Sequence, residues 1–239
     1  METNYTLTQA GFIALTIVSF ALFFRALQKA VVQTDLPEKH KRTLVPMLAI
    51  GVALWLTLIS VLAARQVFFD FTTMPPKFLI VIIVPLVAIV YLTSRSATKK
   101  IVGQMPPHTI LYLQSFRIIV EILLWLLFLE NLIPEQMTFE GRNFDILAGI
   151  FGIVAGWIIF RKPSRMVLWV YNIAGLALLI NIVTIAILST PLPIRVFMND
   201  PANTIVTQFP VVWLPGALVP LAYTLHILSF RQIDQVRSD

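Results

Sequence analysis

The chain has 239 residues, of which 58% are hydrophobic and 13% are charged, and its formal net charge is +6. Soluble domains typically carry about 25% charged residues, so this composition and the mean hydropathy of +0.84 predict a polytopic membrane protein. The basic residues lie in short segments between apolar runs, where membrane orientation accounts for them, and we expect no nucleic-acid partner.

Seven apolar segments predict an all-α fold, a single domain of seven transmembrane helices in the lipid bilayer. About 20 helical residues are needed to cross a hydrocarbon core of about 30 Å. Basic residues follow the first segment instead of preceding it, so we interpret this segment as a retained span and not as a signal peptide. The predicted spans are residues 8–27, 44–64, 78–93, 108–129, 144–160, 166–188 and 210–230.

Lysine and arginine are distributed unequally between the two sides of these spans. Four lie on one side, namely Arg65, Lys77, Arg142 and Arg195. The other side, which includes the C-terminal segment, holds 13: Arg25, Lys29, Lys39, Lys41, Arg42, Arg95, Lys99, Lys100, Arg161, Lys162, Arg165, Arg231 and Arg237. The positive-inside rule therefore predicts an outside N-terminus and a cytoplasmic C-terminus.

The fourth span carries polar residues near its middle, and we expect it to be central to the fold. Gln114, Arg117, Glu121 and Trp125 are spaced i, i+3, i+7 and i+11, which places them along one helical face. Each charge costs about 2.5–3.5 kcal/mol at the bilayer centre on insertion scales, so this face is predicted to point inward. Two interpretations remain open: Arg117 and Glu121 form an ion pair that anchors packing, or they line a substrate site or proton relay.

Two asparagines on the sixth span are candidates for the same site. Asn181 lies at a depth similar to that of Glu121, and Asn172 at a depth similar to that of Gln114. Such residues either line a site or form interhelical hydrogen bonds, each worth about 0.6 kcal/mol. The charged residues around the loop between spans four and five, which include Asp145, are interpreted as a solvated surface, with the mouth of a cation path as the alternative.

Prolines and glycines mark candidate gating and packing positions. Pro85 in span three and Pro215 and Pro220 in span seven indicate either static kinks or gates. Gly152 and Gly156 continue a stripe of small residues on span five. Such a stripe permits close helix packing within the monomer, or alternatively a homo-oligomer interface.

His108 and His226 both fall near the predicted cytoplasmic ends of their spans. Two histidines at similar depth are a candidate pair of haem or metal ligands, but boundary histidines more often simply reach water. The chain has no cysteine and no HExxH motif, and no lysine lies inside a predicted span to form a retinal Schiff base. We therefore expect no cofactor and no metal, and we exclude a rhodopsin.

A weak internal repeat relates the first three spans to the last three. Gly51 aligns with Gly175, Thr57 with Asn181, and the Val-Pro-Leu of span three with that of span seven. In this three-one-three plan with an outside N-terminus, the chain resembles the SWEET sugar transporters. The resemblance implies a fold of parallel repeats, but the chain has no Pro-Gln pair like those of PQ-loop relatives, so no site residue is carried over.

Three segments carry a second resemblance. They are IPEQMTFEGRNFDILAGI (133–150), NIVTIAILSTP (181–191) and VPLAYTLHILSFRQ (219–232), and they are similar to an uncharacterised family of bacterial seven-span membrane proteins. This resemblance implies a bacterial cytoplasmic membrane protein.

Two functional hypotheses follow from the sequence. The first is a small-solute or proton-coupled transporter with Gln114, Arg117, Glu121 and Asn181 around a central site. The second is a membrane ligand sensor or accessory subunit whose outer loops recognise the partner. An intramembrane enzyme ranks below both, because no nucleophile and base are recognisable as a set.

Overall fold

A computed structural model describes residues 2–234 and residue 236, with side chains from residue 5 onward. The predicted cytoplasmic Arg237 lies outside the described residues. Within the described part the chain is 73% helical and contains no strand, so the all-α prediction is confirmed. The described α-helices are α1 (Glu2–Val32), α2 (Glu38–Ala64), α3 (Leu79–Ser94), α4 (Ser96–Gly103), α5 (Pro107–Leu113), α6 (Phe116–Leu129), α7 (Ile146–Arg161), α8 (Arg165–Ser189) and α9 (Val219–Ile233).

Several of these helices are long and apolar enough to cross a membrane. By length and composition, four helical segments of the described chain qualify, Tyr5–Val32, Glu38–Ala64, Pro107–Leu129 and Arg165–Ser189. A fifth candidate is the pair α3 and α4, which is bent by 76°. Large apolar side chains on the outer faces are exposed, for example Leu54 at 66% and Val87 at 62%. This pattern is that of a membrane protein.

The helix bounds differ from the apolar segments at several points. α1 extends beyond residues 8–27 in both directions, and α2 begins at Glu38, well before residue 44. Helices continue into polar sequence because charged side chains at their ends are tolerated in water, whereas the apolar pattern marks only the membrane-spanning part. The short basic segment 95–107, between the predicted spans 78–93 and 108–129, contains the short helix α4.

The predicted span 108–129 is interrupted near its middle, where α5 ends and α6 begins. Around Gln114 and Ser115 the backbone bonds shift to i→i−3: the amide of Arg117 donates to the Gln114 carbonyl at 3.2 Å, and that of Ile118 to Ser115 at 3.1 Å. A tight turn of this kind within a helix often marks a functional position. Here it immediately precedes the two charged residues of the span.

The predicted span 210–230 starts as a π-helical turn, Leu214–Leu218, before α9. Pro220 has no N–H, so it leaves the carbonyl of Gly216, four residues earlier, without its helical partner. The indole of Trp55 on α2 donates to this carbonyl at 2.9 Å. A hydrogen bond from α2 therefore stabilises the π-helical turn. Pro85, in contrast, lies inside α3, which continues past it.

The glycine stripe of α7 packs against α5 of the same chain. A Cβ atom on Gly152 would lie 2.8 Å from the carbonyl oxygen of Leu111, and one on Gly156 would lie 2.7 Å from the ring of Tyr112. Both glycines are buried. They permit close helix approach within the monomer, so the surface offered for the alternative homo-oligomer contact is already covered.

Candidate functional site

A buried ion pair joins α6 to the residue that precedes α7. The guanidinium of Arg117 on α6 donates to both carboxylate oxygens of Asp145, with Nε at 2.8 Å from Oδ2 and Nη2 bonded to Oδ1. Nη2 also donates to the carbonyl of Gly175 on α8 at 2.9 Å. Arg117 is 1% exposed and Asp145 is 4% exposed. A charge-assisted bidentate pair of this kind satisfies the arginine inside an apolar bundle.

The same guanidinium begins a chain of hydrogen bonds to α8 and α9. Its Nη1 lies 3.0 Å from Nε2 of His226, and because a guanidinium only donates, Nε2 must accept. Nδ1 of His226 therefore carries the hydrogen and donates to Oδ1 of Asn172 at 2.9 Å. The amide nitrogen of Asn172 donates onward to Ser229 Oγ at 2.7 Å. The chain thus joins three helices through a neutral imidazole.

Gly175 makes room for this chain. A Cβ atom at this position would lie 2.8 Å from Cε1 of His226 and 3.6 Å from Nη1 of Arg117. A larger residue would separate the histidine from the guanidinium. The glycine that aligns with Gly51 in the sequence repeat is therefore needed here for the close approach of α8 and α9.

Glu121 lies one helical turn beyond Arg117, but it pairs with a different partner. Its Oε2 accepts a hydrogen bond from the amide nitrogen of Asn143 at 2.5 Å. Oδ1 of Asn143 accepts from the backbone N–H of Asp145 at 3.0 Å, so one asparagine connects the two acidic residues. Glu121 is fully buried, and its Oε1 has no hydrogen-bond partner in the described chain.

A small cavity of about 80 Å³ lies beside Glu121. Most of its walls are apolar side chains of α3, α6, α8 and α9, but Arg117, Glu121, Asp145, Thr190 and Asn203 also line it. Oδ1 of Asn203 is a second buried oxygen without a partner among the described residues. Since one water needs about 10–15 Å³, the cavity has the volume of several waters or of a very small solute.

Asp145 and Asn143 were missed as site residues by the sequence analysis. Asp145 was assigned to a solvated surface of the outer loop, and this interpretation is wrong, because the side chain is buried against Arg117. The signal available in the sequence is Asn-Phe-Asp directly before α7, a pattern in which asparagine accepts from the backbone two residues later. Arg117 and Glu121 do not pair with each other. Arg117 pairs with Asp145, and Glu121 accepts a hydrogen bond from Asn143.

Trp125 and Asn181 lie outside the buried cluster. The indole of Trp125 donates to Glu140 at 2.6 Å near the end of α6. Asn181 is exposed and donates to the backbone of Arg142 at 3.0 Å, so its matching depth does not bring it to Glu121. α8 turns Leu179 and Ile182 inward, and Asn181 therefore points away. Gln114 is buried, and its amide donates to the Ala222 carbonyl at 3.3 Å.

The two histidines do not form a shared site. His226 is 1% exposed and belongs to the buried chain, so it does not reach water as a boundary residue would. His108 packs its ring edge-to-face on Phe160, with 5.1 Å between centroids. Among the described residues no group of three or more histidine, aspartate or glutamate side chains is arranged to hold a metal ion.

The variants Asn172→Leu and Asn181→Leu test whether the buried asparagine of α8 contributes more to stability than the exposed one. We expect Asn172→Leu to lower the free energy of unfolding by about 1–3 kcal/mol, because it leaves the buried N–H of His226 without an acceptor. Asn181→Leu is exposed and is expected to change it by no more than about 0.5 kcal/mol. Chemical denaturation of the detergent-solubilised variants measures both. Equal losses would contradict the assignment of Asn172 to the buried chain.

Residues 75–233 match the family described as a domain of unknown function, DUF8737. The chain belongs to the DUF8737 family. The DUF8737 region runs from the segment before α3 to the last residue of α9, so it contains the whole buried cluster, whereas α1 and α2 precede it. No curated protein and no solved structure matches the chain.

Proposed function

We propose that this DUF8737 protein is a membrane transporter that moves a small solute in a proton-coupled manner, with Glu121 as the proton-binding carboxyl group. Its seven spans are α1, α2, α3, α5 with α6, α7, α8, and the π-helical turn with α9. Residues 214–233 number 20 and rise about 30 Å, which is one bilayer core. α3 and α7 are shorter, at 16 residues each.

The orientation proposed is an outside N-terminus and a cytoplasmic C-terminus. The supporting observation is an excess of lysine and arginine on the proposed cytoplasmic side, at the ends of α1, α3, α7 and α9 and in α4. The exposed Lys99 and Lys100 of α4 belong to this set. The resemblance to bacterial seven-span proteins supports the bacterial cytoplasmic membrane as the location.

The observation that carries the proposal is a fully buried carboxyl group without a cationic partner beside a cavity. Arg117, the nearest arginine along α6, is already bound by Asp145 through both oxygens. A buried, unpaired carboxylate costs several kcal/mol, and binding a proton or a cation removes that cost. Oε1 of Glu121 is free to take a proton, while Oε2 keeps its bond to Asn143.

The chemistry of the cavity favours a proton or a cationic solute over an anion. The unpartnered atoms of Glu121 and Asn203 are both acceptors, and Asp145 adds a second carboxylate to the lining. Arg117 also lines the cavity, and its charge offsets that of Asp145. An anion would therefore meet the unpartnered acceptor oxygens of Glu121 and Asn203, whereas a small amine offers N–H groups to both oxygens. Asn203 is held in this orientation because its Nδ2 donates to the Ala186 carbonyl at 3.0 Å.

The hydrogen-bond chain offers a route from the carboxyl group to α9. Loss of the proton places a negative charge on Glu121, and Asn143 connects the Glu121 side chain to the backbone N–H of Asp145. Asp145 accepts hydrogen bonds from Arg117, and Arg117 in turn donates to His226 on α9. This helix follows the π-helical turn that contains Pro215. We expect a change of charge at Glu121 to act on α9 through this chain.

The test is the variant Glu121→Gln in proteoliposomes loaded with a pH-sensitive dye. A thermal-shift screen of small amines, sugars and acids first selects the compound that stabilises the purified protein, and we expect an amine. Addition of that compound should then move protons in the native protein. Glu121→Gln keeps the hydrogen bond to Asn143 but cannot release a proton, so the proton movement should fall at least about tenfold.

Glu135→Gln is the matched control, because Glu135 is an exposed carboxylate of the adjacent loop. It should leave both folding and proton movement unchanged. Proton movement in Glu121→Gln equal to that of the native protein would overturn the proposal. So would a complete absence of compound-driven flux in the native protein.

A specific feature of the outer loop favours the alternative, a ligand sensor or accessory subunit. In the loop between α8 and α9, Ile194, Val196 and Met198 are 56%, 63% and 69% exposed. Exposed apolar side chains grouped in this way are suited to contact with a partner. This alternative predicts no flux and a partner whose capture is lost in Val196→Ser.

A further inference from the structure

A large groove opens on the side of the bundle between α1 and the helices α5 to α7. Its volume is about 980 Å³. The groove is accessible from the side, since Val18 is 53% and Ile119 is 44% exposed. Its apolar lining comes from both sides and includes Leu15, Val18 and Leu22 of α1, and Tyr112, Ile119 and Ile153 opposite.

The length of the groove matches one leaflet of a bilayer. Leu15 and Arg25 both line it and are ten residues apart on α1. At 1.5 Å per residue this separation is about 15 Å, half of a hydrocarbon core of about 30 Å. An acyl chain laid along α1 from Leu15 would therefore reach the level of the lipid headgroups at Arg25.

One end of the groove is basic. Arg25 and Lys29 line it one helical turn apart, and no carboxylate side chain is among the described residues of the lining. None of the ion pairs within the described part of the chain involves Arg25 or Lys29. Gln33, Gln104 and His108 add polar groups at the same end. Two adjacent cations above an apolar trough are complementary to an anionic headgroup with its acyl chain.

We propose that this groove binds an anionic phospholipid, with its phosphate between Arg25 and Lys29 and an acyl chain along Leu22, Val18 and Leu15. In the proposed orientation this end faces the cytoplasmic leaflet. The lipid bridges α1, which precedes the DUF8737 region, to α5 and α7 within it. It also contacts Ser115 and Phe116, where the fourth span is interrupted. Glu121 does not line the groove, and the proposed lipid site does not depend on transport.

Native mass spectrometry of the full chain in a zwitterionic detergent tests the proposal with phosphatidylglycerol and phosphatidylcholine as probes. We expect retained phosphatidylglycerol to exceed phosphatidylcholine, and the double variant Arg25→Gln/Lys29→Gln to lose about tenfold of the phosphatidylglycerol affinity. The control Lys99→Gln/Lys100→Gln removes the same charge from exposed positions of α4 outside the groove and should change it less than about twofold. Equal losses in the two double variants would overturn the proposal.

A second variant tests the apolar part of the site. Leu22→Trp places a larger side chain in the trough at a position that is 49% exposed, so the helix bundle should still fold. We expect it to weaken binding of phosphatidylglycerol while an excess of glycerol phosphate does not compete for the site. Unchanged binding in Leu22→Trp, or full competition by glycerol phosphate, would show that the basic end binds a free phosphate group and would refute a lipid site.

Discussion

Asp145→Asn is expected to lower the free energy of unfolding by about 3–5 kcal/mol, the largest loss of stability among the variants considered. The substitution leaves the guanidinium of Arg117 buried without its carboxylate, and it places an amide N–H₂ group against the N–H groups of the arginine. Removing one partner of a buried ion pair costs this much because the remaining charge is uncompensated. The bonds to Gly175 and His226 satisfy the arginine only in part.

The measurement is chemical denaturation in detergent micelles, followed by circular dichroism. Asp35→Asn removes an exposed carboxylate and is the control, with an expected change within about 0.5 kcal/mol. The double variant Arg117→Met/Asp145→Leu replaces both charges by apolar groups and should recover most of the loss. If Asp145→Asn were as stable as Asp35→Asn, the pairing of α6 with the start of α7 would be refuted.

The class of protein was predictable from the sequence because it depends on average properties. Long apolar segments and few charges require helices in a membrane, whatever the details of packing. The inward position of Arg117 and Glu121 followed from the same reasoning, since both are buried in the structure. These predictions rest on the cost of exposing charge to lipid, and that cost does not depend on which partner is found.

The partners themselves were not predictable, because they depend on tertiary contacts. Asp145 stands at the edge of an apolar segment, where a carboxylate is normally solvated, and only the fold of the preceding loop places it against Arg117. The hydrogen bond from the Trp55 indole to the Gly216 carbonyl, which Pro220 leaves without its helical donor, also depends on a tertiary contact. The sequence shows that a carbonyl four residues before a proline needs a donor, but not which helix supplies it.

Helical phase explains the difference between Asn172 and Asn181. Nine residues separate them, which is two and a half turns, so they lie on opposite sides of α8. The sequence analysis selected Asn181 as a site residue because its depth matches that of Glu121. The direction of the buried face of α8, which includes Asn172, Gly175 and Leu179, is the better criterion. The polarity of α8 is divided between a residue in the buried chain and one at the surface.

Gly152→Ala is expected to destabilise the protein by about 1–3 kcal/mol, although it adds a single methyl group. The new Cβ atom would lie 2.8 Å from the backbone oxygen of Leu111 and 3.1 Å from the hydroxyl of Tyr171. A backbone atom cannot rotate away as a side chain can, so α5 would have to move. α5 leads directly to the interruption at Gln114, whose Cβ lies 3.4 Å from the added atom.

Gly51→Ala is the matched control, because it makes the same chemical change on α2 with no heavy atom within 4 Å of the added Cβ. Alanine is the better helix former by about 1 kcal/mol, so this variant should be neutral or slightly stabilised. Gly152→Ala is therefore expected to lower the thermal unfolding midpoint, whereas Gly51→Ala should leave it unchanged or raise it slightly. A loss in Gly51→Ala equal to that in Gly152→Ala would show that the close approach of α5 and α7 is not what the glycine provides. A loss in Gly152→Ala alone would locate the requirement at the contact between α7 and α5, the helix that leads to the start of the charged helix α6.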